Sequence, residues 1–204
     1  MSCILHIDSS YNTDRSASRV LSREFIEVWK TFHPEDTVIY RDLGHSPVPY
    51  INELHIAAAF SPPETHTPEM KEALKVSDTL VEEFLTAERY IFGVPMYGFN
   101  VPATFKAYIE HLVRPGVTYI VDERGLTGLV NGKKALFITS RGGDYRSGTP
   151  LAACDIQEPY LRIIFGSFGI TELQFINANN LVLGDRVQSF AEARAAIREM
   201  ATYW

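Results

Sequence analysis

Four serines crowd the segment "DSSYNTDRSAS" near the start of the chain: Ser9, Ser10, Ser16 and Ser18. Hydroxyls supply donors without a fixed charge, and Arg15 or Arg19 could add one. Where such a segment enters a helix, backbone N–H groups and the helix dipole bind a phosphate group. One serine there is commonly a helix cap, and Ser16 alone would be read that way. Four together, with Ala17 between the last two, favour an anion site. A second unusual segment is "GVPMYGFNVPATFKAYIE", Gly93 to Glu110. Pro95 stops an apolar run, and Met96, Tyr97 and Phe99 surround Gly98. Connections usually take small polar residues, so this one either packs as a corner or offers soft, flat contacts to a planar partner. A third segment, "TSRGGDYRSG", carries Ser140, Arg141, Gly142 and Gly143. Adjacent glycines there form an ordinary turn, or present backbone N–H groups to something flat and electron-rich.

Several chemistries lack their residues. No G-x-G-x-x-G follows the first apolar run and no GxxxxGK[ST] occurs; "NGKKA" at 131–135 reads as a turn. A phosphatase loop would need a cysteine among the clustered serines, and there is none. Cys3 and Cys154 have no disulfide or zinc spacing, and Cys154 reads as a structural thiol rather than a nucleophile. His6, His33, His45, His55, His66 and His111 show no ligand pairing, and no metal is expected. His111 is expected at the surface or an interface, and Glu82–Glu83 on a solvated helix face. The net charge of −6, with scattered Lys and Arg, argues against nucleic acid as a partner. With no apolar leader and no stretch of bilayer length, the chain is expected in the reduced cytoplasm, away from membranes.

The elements that must position the three loops alternate. Strands are expected over "CILHID", "DTVIYRDL", "RYIFGV", "KKALFITS" and "ITELQFINA". Helices are expected over "SASRVLSREFIEVWKTF", 67–86 with its Thr-Pro start, "TFKAYIEHLV", "PYLRIIFGSFG" and "SFAEARAAIREMATYW". "SPVPYI" reads as a loop, and the apolar residues of 50–62 suit either an interface or the core. At 204 residues, with no repeat or boundary, residues 1–204 are expected to form one domain with room for an inserted hairpin. Strands that are continuous apolar runs predict an α/β fold, a parallel sheet covered on both faces. Ligands in such sheets bind beyond the carboxyl ends of the strands at the switch in strand order. The three unusual loops follow strands one, three and four, so they converge there. A phosphate site beside contacts for a flat ring describes a mononucleotide such as FMN.

The chain resembles the FMN-dependent NADH:azoreductases, a branch of the flavodoxin-like quinone reductases. The resemblance spans essentially the whole chain and is most specific at Ser9–Ser10, "SxS" at 16–18, "PMYGFNVPATFKAYIE", "RPGVTY" and "GLVNGKKALFITSRGG". It implies a flavodoxin-like doubly wound sheet of five strands in the order 2-1-3-4-5. It also implies FMN contacts from Ser10 and from Ser16, Ala17 and Ser18 at the phosphate. Met96, Tyr97, Gly98 and Phe99 would meet the ring, and Ser140, Arg141, Gly142 and Gly143 its pyrimidine side. The family is homodimeric, with its sites at the subunit interface, and uses NADH, sometimes NADPH, to reduce quinones and azo compounds. The chain departs from the family's pattern at three places. Gly98 stands where members often have Asn, Asp144 and Tyr145 follow the glycines where members often have His, and members often carry an aromatic or basic residue near Val121.

The expected chemistry is ping-pong: NADH and then a quinone or azo compound would occupy the same face of the flavin. The backbone N–H groups of Gly142 and Gly143 would stabilise charge at flavin N1 and O2. No side chain is needed as an obligate acid or base. Tyr119 and Tyr145 are weaker candidates for the substrate side. An electron carrier would be more acidic, a regulatory module would carry a further domain, and a transferase would not need "MYGF".

Overall fold

The computed structural model describes residues 1–13 and 15–204. The apolar run after Ser2 forms β1 (Cys3–Asp8), followed by α1 (Ala17–Phe32), on which Leu21, Phe25 and Trp29 recur at helical spacing and are buried. Next come β2 (Thr37–Asp42), α2 (Glu53–Ala59) and α3 (Pro68–Thr86). Thr67 caps α3 by accepting the Met70 N–H at 3.3 Å, and Pro68 fills the first position, where its missing N–H is harmless. Then follow β3 (Arg89–Pro95), α4 (Ala103–Leu112), β4 (Tyr119–Asp122), β5 (Gly125–Gly128) and β6 (Lys134–Ser140). The chain closes with α5 (Gln157–Ser167), β7 (Glu172–Ala178) and α6 (Arg186–Met200).

Five strands make one parallel sheet in the order β2-β1-β3-β6-β7, which is the expected order once the hairpin is set aside. That hairpin, β4 with β5, is antiparallel and lies apart from the sheet. Alternate strand residues enter two cores. Leu5, Ile7, Phe92 and Phe137 pack with Phe84, Phe105 and Phe165 from α3, α4 and α5. Ile4, Ile91, Leu136 and Ile138 pack with Leu21, Phe25 and Trp29 of α1 and Ile197 of α6. Each buried ring or branched chain contributes about 1.5–3 kcal/mol, so both sheet faces are anchored and the strand ends hold still. The order reverses at β1, which pairs with β2 on one side and β3 on the other. The loops leaving β1 and β3 therefore flank a crevice, and β6 adds its own loop beside β3.

Some expectations need correction. Residues 53–59 are helical, capped by Asn52, where no element was expected; the segment is too short for a readable period. His55 and Ala58 are buried there, while Tyr50, Leu54, Ile56 and Phe60 are exposed. His111 is not at the surface: it lies on the inner side of α4, 2% exposed, with Nε2 2.8 Å from the Pro49 carbonyl. Glu82 is solvated, but Glu83 is half-buried and accepts two bonds from Arg41, at 2.6 and 3.0 Å. Helix α5 begins before Pro159, because a proline in a first turn removes only an N–H that has no partner. Helix α6 begins at Arg186, since Asp185 caps it through the Gln188 N–H at 3.0 Å.

Candidate functional site

The three loops meet at the carboxyl edge of the sheet around an open cleft of about 250 Å3. Register brings them together. Pro95 lies opposite Ser140, and the Met96 N–H donates to the Ser140 carbonyl at 2.9 Å, so the loops after β3 and β6 leave side by side. Ser9 turns back into the sheet, its N–H and its hydroxyl each 3.1 Å from the Gly93 carbonyl. Ser10 faces the cleft. Its Oγ accepts the Asn12 N–H at 3.2 Å and lies 3.3 Å from the Tyr97 hydroxyl, joining the first loop to the second. Ser16 caps α1, accepting the Arg19 N–H at 3.4 Å, and its Oγ is 3.2 Å from that of Ser18.

After β3 the chain makes a tight turn. Tyr97 and Asn100 exchange backbone hydrogen bonds of 2.9 and 3.1 Å, with Gly98 at φ 56° and Phe99 at φ 65° between them. Left-handed conformation at Phe99 is unusual for a bulky residue; it leaves the ring about half exposed, 6.4 Å from Tyr145. Tyr97 stacks on Tyr11 at 5.7 Å. After β6 the Arg141 N–H donates to the Ala178 carbonyl at 2.9 Å, and the carbonyls of Arg141, Gly142 and Gly143 are all committed. Arg141 O accepts from Leu181, Gly142 O from Val182 and Leu183, and Gly143 O from Asn180, at 2.9–3.1 Å. The N–H groups of Gly142 and Gly143 have no partner among the described residues.

Of the sequence-predicted residues, Ser10, Ser16, Ala17, Met96, Tyr97, Ser140, Arg141 and Gly142 line the cleft. The others do not. Ser18 is buried behind Ser16, Gly98 and Phe99 form the outer tip of the turn, and Gly143 is enclosed by Leu151 and Leu183. Tyr119 is on the separate hairpin, half-buried, and burial raises its hydroxyl pKa. Tyr145 lies outside the cleft, beside Gly143 and 6.4 Å from the Phe99 ring. The Arg141 guanidinium points into the protein, 2.8 Å from Asp155 and 3.2 Å from Gln157, whose amide donates to the Pro95 carbonyl at 3.1 Å. Arg19 likewise turns inward, to Asp42 and Ser10. Asp144 is held down to about 2 by its hydrogen bonds with Arg146, and stays ionised beside Tyr145.

Sequence reasoning missed the fourth wall, formed by Leu181, Val182 and Arg186 after β7. The signal was present: "NNLVLGD" places three apolar residues directly beyond a strand, as "PMYGF" does. Arg15 and Arg186 bring positive charge to the end of the cleft at Ser16 and Ala17, in a protein of net charge −6. The donor set therefore suits an anionic group at that end, a flat apolar body against Met96, Tyr97 and Val182, and electron-rich atoms near the Gly142 N–H. A phosphorylated flavin has those parts in that order.

A crevice at a β1/β3 switch point, bounded by a serine-rich helix entry and two strand-end loops, defines a flavodoxin-like protein. The chain belongs to the flavodoxin-like fold family, whose model matches residues 2–201. It is 62% identical over 202 residues, 98% of each chain, to an FMN-dependent NADH:quinone oxidoreductase of Nostoc punctiforme. It is 57% identical over the full length of both chains to FMN-dependent NADH:quinone oxidoreductase 2 of Trichormus variabilis. The crystal structure of an azoreductase from Bacillus anthracis superposes with a TM-score of 0.93 at 26% identity, covering both chains completely.

Proposed function

We propose that this protein is an FMN-dependent NADH:quinone oxidoreductase that reduces quinones and azo compounds by two-electron, ping-pong turnover. NADPH would serve as a second donor. The reading further takes residues 1–204 as one flavin-binding domain that acts as a cytoplasmic homodimer. The observation that carries it is the meeting of three chemically different loops in one cleft: hydroxyls and arginines, then flat apolar side chains, then free backbone N–H groups. The 62% and 57% identities to proteins named for this activity support the same assignment. The azoreductase fold neighbour supports azo compounds as a second acceptor class.

FMN, when bound, supplies hydride acceptance and donation; the chain supplies position and electrostatics. Ser10, Ser16, Ala17, Arg15 and Arg186 would hold the phosphate end, with Ser18 behind Ser16. Met96 and Tyr97 would hold the ring, with Phe99 and Tyr145 outside the cleft beyond them. The Gly142 N–H, with Gly143 behind it, would donate to the electron-rich edge of the ring; one such donor lowers a barrier by about 3 kcal/mol. No described side chain is placed as an obligate acid or base, so water protonates the product. The exposed Tyr50, Leu54, Ile56 and Phe60 are the apolar surface that the dimer would cover. Among the described residues, no helix is long and apolar enough to cross a membrane.

Initial rates measured over a grid of NADH and quinone concentrations test the scheme. Parallel double-reciprocal lines are expected, with aromatic amines formed when an azo dye replaces the quinone. Converging lines would rule out a shared binding space, and an intact dye would remove azo compounds from the substrates.

A further inference from the structure

Arg19 lies in the first turn of α1, buried directly behind the serine-rich loop. Its Nη2 and Nε donate to the Ser10 carbonyl at 2.6 and 3.2 Å. The same guanidinium grips Asp42 with two bonds of 2.5 and 2.8 Å, and Asp8 lies 3.8 Å away. Asp42 in turn accepts the N–H groups of Gly44 and His45 at 3.0 and 3.2 Å. Burial alone would raise the Asp42 carboxyl; the bonds from Arg19 and His45 outweigh it and hold the group well below the usual carboxylate range. Two carboxylates already match this cation, so it has no charge left for a ligand. What it fixes is direction.

In a planar trans peptide the C=O and the following N–H point opposite ways. A Ser10 carbonyl drawn back onto Arg19 therefore sends the Tyr11 N–H forward. That N–H has no partner among the described residues. Gly44 closes the arrangement: a Cβ there would overlap the Ser10 carbonyl oxygen and crowd Arg19 Nη2, so only glycine lets the strand-two turn pack this close.

We infer that Arg19, clamped by Asp42 and backed by Gly44, is a positioning residue that aims the Ser10–Tyr11 peptide N–H and the Ser10 hydroxyl at the flavin phosphate. This rests on the reading of the first loop as the phosphate end of an FMN site. The alternative is that the buried ion pair only ties α1 to β2, with no bearing on the ligand.

The two differ in what riboflavin, which lacks the phosphate, reports. Apoprotein would be titrated with FMN and with riboflavin by quenching of flavin fluorescence, for the wild type, Arg19→Lys and Gly44→Ala. The wild type should prefer FMN by at least about tenfold. Arg19→Lys keeps the charge but loses the forked geometry; it should reduce that preference about tenfold while riboflavin affinity holds. Gly44→Ala, which removes no functional group, should do the same by displacing the Ser10 carbonyl, and it tests the inference independently if Arg19→Lys fails to fold. Parallel weakening of both ligands, or unchanged FMN binding, would overturn the positioning role. A wild type that does not distinguish FMN from riboflavin would overturn the phosphate assignment itself, and this inference with it.

Discussion

The hydroxyls of Ser10 and Tyr97 lie 3.3 Å apart across the cleft and join the loop after β1 to the loop after β3. The contact links the phosphate end of the proposed site to its ring end, so neither loop sets its geometry alone. Tyr97→Phe keeps the ring and its stacking on Tyr11 but removes this bond. A net hydrogen bond is worth about 0.5–1.5 kcal/mol, so FMN affinity should fall roughly threefold to tenfold. Titration of the apoprotein measures it, and an unchanged Kd would mean that the two loops are independent.

The turn after β3 is sensitive to backbone conformation rather than to space. A Cβ at Gly98 would meet nothing within 4 Å, yet the residue sits at φ 56°. Gly98→Ala should cost about 1 kcal/mol through the left-handed conformation alone, and Gly98→Asn distinctly less, because Asn tolerates that region. Chemical denaturation of the three proteins checks the ranking. Equal losses for Ala and Asn would show that something other than backbone conformation decides.

Arg141 shows the limits of reading a site from sequence. Its place between Ser140 and Gly142 puts its backbone at the cleft, but its side chain is 2% exposed and turned to Asp155 and Gln157. Removing one partner of a buried pair leaves the other uncompensated. Arg141→Met should therefore lower stability by about 3 kcal/mol, visible in urea unfolding. A loss of FMN affinity at unchanged stability would instead return the guanidinium to the ligand.

His55 and His111 touch edge to face at 5.1 Å inside the fold, and burial lowers the pKa of both. A histidine whose folded-state pKa is depressed disfavours proton uptake by the folded state. The stability this gives is full above the ordinary value near 6.5 and is lost as pH falls below it toward the folded pKa. Unfolding free energy should thus decline between about pH 7 and pH 5, and less steeply in the His55→Asn/His111→Asn double variant. An identical slope in both proteins would assign the decline to other groups.

Much of the fold was legible because its signals are local and repeated. Apolar runs such as "YIFGV" sit on a doubly covered sheet, and Leu21, Phe25 and Trp29 mark one helix face. Thr67-Pro68 announces its helix start as a cap should. The cleft residues nearest strand ends, Ser10, Met96 and Gly142, were also found, since a strand end fixes where the next backbone group goes. What failed depends on long-range packing. Nothing near Arg141 or Arg19 in sequence says that Asp155 or Asp42 waits inside the fold, and the His111 ring meets Pro49 and His55, both far from it in the chain. The seven-residue α2 is too short for periodicity to separate it from a loop. Arg186 was missed because its loop follows the last strand and carries neither clustered hydroxyls, aromatics nor paired glycines.

The central claim is that this cleft binds FMN and passes electrons from NADH to a quinone. Its most direct test is the visible spectrum of the FMN-loaded protein under argon, recorded before and after one equivalent of NADH and again after one equivalent of quinone. The account predicts flavin bands that bleach fully with NADH and return with quinone. Bands that persist with NADH and bleach only with dithionite would contradict it, leaving a flavin carrier that needs another protein as its reductant.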